Sequence, residues 1–288
     1  MRAYIIGTGS AGCRHSRILS SLGIDVIGVS ETKSLLGQLR YPHDFDRLIS
    51  LNDCNPSDTD LIVISSISSK HTNLCAHFSS HPFLFCEKPG PDLDSENIQI
   101  LFNLRFLDVV EYFIETKKDI LGLELKFQAN AMKWHPDEDY RKSYVFNKRL
   151  GGGCILTNSH EIDLMHAFDH QINLQKFIVD EVYEDENNEL IDVAYSYEDN
   201  GYILDSSIVS KSPSRIYTFH TMHKSFKYDF SSTQFIKGSL NSIELSYYKM
   251  WSSILKNIKH NSSFANRLPS AREVQHIHAI GRVIQNAG

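Results

Sequence analysis

The chain reads as α/β in its first third and α+β in the remainder: a parallel sheet wound with helices, then an open, mostly antiparallel sheet. Three observations predict this. Short apolar runs at 3–6, 26–29, 61–64 and 83–86 alternate with helical stretches at 12–22, 33–39 and 71–79, with a shorter helix near 45–50. After about residue 105 the runs at 121–129, 179–182, 191–197, 202–209, 215–220 and 225–230 follow one another at hairpin spacing, as an antiparallel sheet with one solvated or partner-facing side requires. A helix at about 158–169 interrupts that series, and two more, 245–259 and 270–286, close the chain. The boundaries are 1–104 for the first domain and 105–288 for the second.

A length of 288 residues suits one large or two ordinary domains. A hydrophobic share of 41% and a charged share of 22% are those of an ordinary globular protein. The net charge of -6 argues against a nucleic-acid or anionic-membrane surface. No apolar run approaches membrane-spanning length, and the N-terminus reads as a strand rather than a signal peptide. Cys13, Cys54, Cys75, Cys86 and Cys154 are odd in number, scattered and without a CxxC, so they read as reduced thiols in a cytoplasmic protein.

The first strand breaks directly into Gly7-Thr8-Gly9-Ser10-Ala11-Gly12. Strand, glycines and helix in that order form a dinucleotide fingerprint: Gly7 for a tight turn, Gly9 for backbone approach to a pyrophosphate, Gly12 for close helix packing. The helix beginning at Ser10 and Ala11 aims its N–H groups and positive dipole end at phosphate. Glu31, at the end of the second strand, stands about twenty residues on, where an acid binds the ribose diol. Glu31 favours NAD, and the nearby Lys33 leaves NADP open.

Cys86-Glu87-Lys88-Pro89 follows the fourth strand, at the carboxyl end where open α/β sheets hold ligands. A lysine there can donate to a substrate hydroxyl and stabilise a developing alkoxide, although a surface lysine beside a turn satisfies the same pattern. Gly151-Gly152-Gly153 opens the helix that carries His160 and Asp163 on one face at i, i+3. An imidazole near its ordinary pKa can exchange a carbinol proton; a capped helix with a satisfied core histidine is the alternative. Trp134, His135, Tyr140 and Arg141, with Asp137, Glu138 and Asp139, place an indole face, an imidazole, carboxylates and a guanidinium on one loop. That set suits a polyhydroxylated substrate, or simply a charged loop capping a strand.

Together these motifs resemble the Gfo/Idh/MocA family of NAD(P)-dependent oxidoreductases over nearly the whole chain, with Asn103-Leu104-Arg105-Phe106 similar to the family's strand entering the second domain. The resemblance implies a Rossmann domain, and a second domain whose sheet forms a homodimer or homotetramer interface. It implies Lys88 and His160 as the catalytic pair and Glu31 as ribose ligand. Ser66, Ser68 and His71, with Glu87, fall on the cofactor side, and Trp134, His135, Tyr140, Arg141 and Asp163 on the substrate side. The loop at 134–141 with 159–163 resembles the sugar-modifying branch linked to surface-polysaccharide and nonulosonic-acid pathways.

The chain departs from the family pattern in three places. Leu156 and Thr157 stand where most relatives carry an aspartate that orients the histidine, with Asp163 or Glu161 as the substitutes at hand. Residues 90–97 are too short for the usual crossover helix before a strand at 98–104, which predicts a different pairing of that strand or a flank covered by a partner subunit. Ile67 replaces a proline. The leading expectation is hydride transfer at a sugar or sugar-nucleotide carbinol. A cofactor-binding sensor or scaffold without turnover is the alternative. A metal reading through His160, Asp163, His166 and His170 has ligand-compatible spacing but simpler explanations, so no metal is expected. Trp251, Ile254, Leu255 and Ile258 form a core stripe, and His276 and His278 read as solvated.

Overall fold

The computed structural model describes residues 1–30, 44–116, 119–134, 139–168, 172–230, 242–264 and 267–285. In chain order its elements are β1 (Arg2–Ile6), α1 (Ser10–Ser21), β2 (Asp25–Ser30), β3 (Arg47–Ser50), β4 (Leu61–Ile64), α2 (His71–His77), β5 (Leu84–Glu87) and β6 (Ile98–Leu101). Then come α3 (Asp108–Glu115), β7 (Ile120–Asn130), α4 (Cys154–Thr157), α5 (Ser159–Phe168), β8 (Phe177–Glu184), β9 (Leu190–Asp199), β10 (Tyr202–Ser207), β11 (Val209–Thr221), β12 (Ser225–Asp229), α6 (Ser242–Lys259) and α7 (Gln275–Gln285). The chain divides into Met1–Asn103 with Ser246–Gln275, and Leu104–Leu245 with His276–Gly288.

The first unit holds a six-stranded sheet in the order β3-β2-β1-β4-β5-β6, every pair parallel. Its central strands are buried along almost their whole length, which is why they read as continuous apolar runs rather than alternating ones. Side chains still alternate in direction. Phe85 meets Trp251 of α6 with ring centroids 5.6 Å apart, and Glu87 meets His15 of α1, whereas Cys86 lies beside Cys75 of α2.

Two expectations need correction here. Residues 45–50 are not a helix: Arg47–Ser50 is β3, in register with Ile27–Ser30 of β2. A run this short carries no decisive periodicity, and an open sheet edge decides it. The second concerns the flank without a crossover helix. β6 pairs with β5 in parallel despite the short connection, and it ends at Leu101, with Asn103–Phe106 a 3-10 turn. Its other edge is covered by the chain's own C-terminal segment, not left for a partner. Ile100 N donates to Pro269 O at 2.9 Å and Ala271 N to Ile98 O at 2.9 Å, around an antiparallel bridge of Gln99 to Ser270. Gln275 Nε2 donates to Leu93 O at 2.9 Å, and Arg272 pairs with Asp94 and Glu96. These bonds hold the helix-free connection in place. Ser246–Gln275 belongs to the first unit.

The second unit carries the sheet β12-β11-β7-β10-β9-β8, antiparallel except for β10 against β7. Leu123, Leu125, Tyr195, Leu204, Tyr217 and Phe219 form its buried side, on which Tyr195 reaches the Asn158 carbonyl between α4 and α5. The other side is polar: Lys126 pairs with Asp205 at 3.0 Å and His220 with Glu124 at 2.9 Å, beside exposed Ile178 and Ile203. This is the fold class anticipated above. No described helix is long and apolar enough to cross a membrane.

Candidate functional site

The order of the first sheet reverses at β1 and β4, whose carboxyl ends border the ligand crevice of such folds. Three loops leave the sheet on that edge: 7–9 after β1, 65–68 after β4 and 88–90 after β5. The glycines of the first have separable roles. Gly7 has φ of 105°, and a Cβ there would lie 2.5 Å from Ser66 N. At Gly12 a Cβ would lie 2.0 Å from Gly7 O, so α1 can pack this close only on a glycine. Gly9 is different, because a Cβ there would meet nothing within 4 Å. Its backbone faces open space, at the start of a helix whose first N–H groups, those of Ser10, Ala11 and Gly12, lack intrahelical acceptors. The fit to a dinucleotide pyrophosphate is good.

His71 supports the second loop from below. It is buried, its Nε2 lies 3.0 Å from the Ser66 carbonyl oxygen, and the Gly90 backbone is a further neighbour. Burial pushes its pKa down to about 4, so it is a neutral structural staple under a surface that includes half-buried Ser66 and Ser68. Ser65 Oγ donates to Gly7 O at 2.7 Å and joins the first two loops. Lys88 is half-buried at the mouth of the third.

Glu87 is buried beneath that loop. His15 Nε2 lies 2.8 Å from its Oε1, Tyr247 donates to the same oxygen at 3.3 Å, and Lys88 N donates to Oε2 at 3.1 Å. Burial alone would raise its pKa; the hydrogen bond with His15, then the charge of Lys88, bring it below the usual carboxylate value. Trp251 is core, as its stripe predicts, and its indole also donates to His15 Nδ1 at 3.0 Å. Sequence reasoning missed His15, Tyr247 and Trp251 as polar partners. One signal was there to read: Gly12, His15, Ser16 and Leu19 make up a buried stripe of α1, so a histidine occupies a core position.

In the second unit, Gly153 has φ of 105°, and a Cβ there would lie 2.5 Å from Asp192 Oδ1. Asp192 Oδ2 accepts from Ile155 N at 2.8 Å and so caps α4 from β9. Burial raises the Asp192 pKa to about 6 despite that bond. Asn158, at the break between α4 and α5, donates to Ser206 Oγ at 2.9 Å. His160 lies in the first turn of α5 and is 9% exposed.

Two carboxylates of the same helix are paired with arginines. Glu161 lies 2.7 Å from Arg215 and accepts from Tyr217 at 2.6 Å. Asp163 is gripped by Arg105 in a bidentate pair at 2.8 and 2.7 Å. Asp163, expected on the substrate side, has both oxygens bonded to Arg105, and Glu161 receives Arg215 and Tyr217 on Oε1. Nothing in the sequence spacing announces Arg215 or Tyr217, which come from β11.

Trp134 is 43% exposed after a 3-10 turn. Tyr140 packs edge-on to Phe146, and Arg141 pairs with Asp139 at 2.9 Å, which lowers the Asp139 pKa. Tyr140 and Arg141 line a cavity of about 430 Å³ with Tyr183 and Glu184 of β8. His276 and His278 are half-buried rather than solvated, and the His276 ring lies 4.1 Å from that of His166, because α7 is amphipathic and its flank is covered. Among the described residues no group of three or more side chains could hold a metal. Glu31, Lys33, His135, His170 and the helix expected at 33–39 lie outside the described residues.

Neither family models nor curated proteins match the sequence. Solved structures do match. A protein provisionally assigned as a myo-inositol dehydrogenase from Sinorhizobium meliloti has a TM-score of 0.71 at 13% identity, covering 100% of this chain and 98% of its own. An oxidoreductase from Agrobacterium radiobacter, in complex with NAD+, L-tartaric acid and magnesium, has a TM-score of 0.68 at 12% identity, covering 100% and 97%. UDP-N-acetylglucosamine 3-dehydrogenase from Acidithiobacillus ferrooxidans has a TM-score of 0.66 at 14% identity, covering 98% and 96%. The shared feature is the fold: a Rossmann-type parallel sheet followed by a mostly antiparallel one.

Proposed function

We propose that this protein is an NAD(P)-dependent oxidoreductase that moves hydride to or from a carbinol carbon of a sugar or sugar nucleotide. The observation that carries the reading is the Gly9 turn, open where a pyrophosphate would lie and closed at Gly7 and Gly12. Residues 7–12 would hold the pyrophosphate, Glu31 the adenosine ribose, and Ser66 and Ser68 the nicotinamide ribose. When bound, the nicotinamide supplies the hydride acceptor or donor. Lys88 would hold the substrate oxygen through its ammonium and steady the charge that grows there. His160 would take the carbinol proton in oxidation and return it in reduction. Trp134, His135, Tyr140 and Arg141 would bind hydroxyls and a ring face. The substrate class draws support from the inositol and UDP-sugar enzymes that share the fold. Five free thiols fit a cytoplasmic setting, and the polar sheet side in the second unit suits a homodimer, measurable by light scattering.

The test is a panel of sugars and sugar nucleotides, read at the reduced-nicotinamide absorbance band. Turnover is expected with at least one of them, falling about 10²–10⁴-fold in Lys88→Ala with NAD affinity kept. Unchanged turnover in Lys88→Ala would remove the mechanism. A second reading, a cofactor-binding sensor without turnover, is favoured by the engagement of Glu161 and Asp163 by arginines. Tight NAD binding with no reaction across the panel would select it.

A further inference from the structure

His15 is buried between two partners of different kind. On one side, Trp251 Nε1 lies 3.0 Å from His15 Nδ1. An indole N–H only donates, so Nδ1 must present its lone pair. The single ring proton therefore sits on Nε2, which donates to Glu87 Oε1 at 2.8 Å. A second ring proton would set N–H against N–H at Trp251. The indole thus fixes the tautomer and keeps the imidazole uncharged.

The consequence falls on Glu87. Its three bonds come from His15, the Tyr247 hydroxyl and the Lys88 backbone N–H, all neutral donors. Such donors stabilise a buried carboxylate without cancelling its charge. The other titratable groups around it include Cys86 and His71, which burial holds neutral, and Arg14 on α1, whose guanidinium lies over the Tyr247 ring at 5.2 Å. An uncancelled charge is thereby held next in sequence to the lysine whose ammonium the proposed reaction uses.

We propose that Trp251, His15 and Glu87 form a tautomer-locked relay that keeps a full negative charge beside Lys88 and so favours its ammonium form. These three are positioning residues, and their role in turnover rests on the reading of Lys88 given above. The alternative is that they merely tie α1 and α6 to the sheet.

The test reads Lys88 directly, with no substrate required. Lysines are labelled by reductive ¹³C-methylation, Lys88 is assigned through Lys88→Arg, and its titration is followed by NMR. In Glu87→Gln, of matching shape but uncharged, the Lys88 titration should fall by about one pH unit. Trp251→Phe keeps an aromatic ring beside Phe85 but removes the donor, so it should lower the Lys88 titration by a smaller step. The ¹⁵N spectrum of wild-type His15 should show the proton on Nε2, with the other tautomer appearing in Trp251→Phe. In an active enzyme, the alkaline limb of kcat should move to lower pH in Glu87→Gln.

A proton on Nδ1 in the wild type, or a Lys88 titration that stays put while the variants melt earlier, would overturn the relay. If Glu87→Gln does not fold, Trp251→Phe and the wild-type spectrum decide. If no substrate turns over but the NMR shifts appear, the relay stands and the proposed reaction fails.

Discussion

Glu87 and Glu161 are both buried carboxylates, each adjacent in sequence to a residue proposed to act on substrate, yet they are satisfied in opposite ways. Glu87 accepts from an imidazole, a phenol and a backbone N–H. Glu161 faces the guanidinium of Arg215 at 2.7 Å and the Tyr217 hydroxyl. The first keeps its charge available to a neighbour. The second has its charge matched on the spot and anchors α5 to the sheet. Motif position alone does not tell a carboxylate that acts on its neighbour from one that holds a helix; the charge of its partners does.

The largest effect should come from breaking the matched pair. Glu161→Ala leaves Arg215 charged and mostly buried, and should cost about 3–5 kcal/mol in denaturant unfolding. A loss below about 1 kcal/mol would mean that Arg215 reaches solvent, and the contrast with Glu87 would weaken.

The glycines sharpen the same contrast between holding and acting. Gly12→Ala, with its Cβ driven toward the Gly7 carbonyl, should destabilise by about 1–3 kcal/mol. Gly9→Val should melt near the wild-type temperature yet lose NAD binding, measured by calorimetric titration. Tight NAD binding by Gly9→Val would place the pyrophosphate elsewhere.

His71 and Asp192, one in each unit, predict opposite pH slopes. The folded-state pKa of His71 is about 4, below the ordinary value of about 6.5, so its contribution is complete above pH 6.5 and is lost as pH falls toward 4. That loss is at most about 3 kcal/mol. His71→Asn should flatten the slope, seen by comparing urea unfolding of the two proteins across that window. Asp192, with its pKa raised to about 6, runs the other way: its ionised form is disfavoured in the folded state, so stability declines as pH rises from about 4 to 6. Asp192→Asn retains an acceptor for Ile155 N and should raise the melting temperature slightly at pH 7. The gain should fade below pH 4, and an equal gain at both pH values would show that ionisation is not its source.

The parallel sheet, the glycine turn and the exit of Lys88 from β5 were legible in the chain because each depends on neighbours in sequence: apolar runs, a strand running into glycines, a strand running into Glu-Lys-Pro. The identity of 45–50 as a strand was not, since a sheet edge settled it. The pairing of Asp163 was not legible: its residue type suits hydroxyl binding, and only the structure shows Arg105 bonded to both of its oxygens. The histidines at 276 and 278 looked solvated for the same reason, because their cover is absent from their own helix.

By itself the sequence determined the two-sheet architecture and the glycine turn after β1, since backbone geometry and side-chain period act over a few residues. Only the tertiary structure decided which carboxylate is neutralised, which tautomer His15 takes, and what covers β6. Each of those outcomes turns on residues far apart in the chain, Trp251 with His15, Arg215 with Glu161 and Pro269 with Ile100, and an electrostatic or hydrogen-bond partner is chosen by distance in space, on which spacing along the chain is silent.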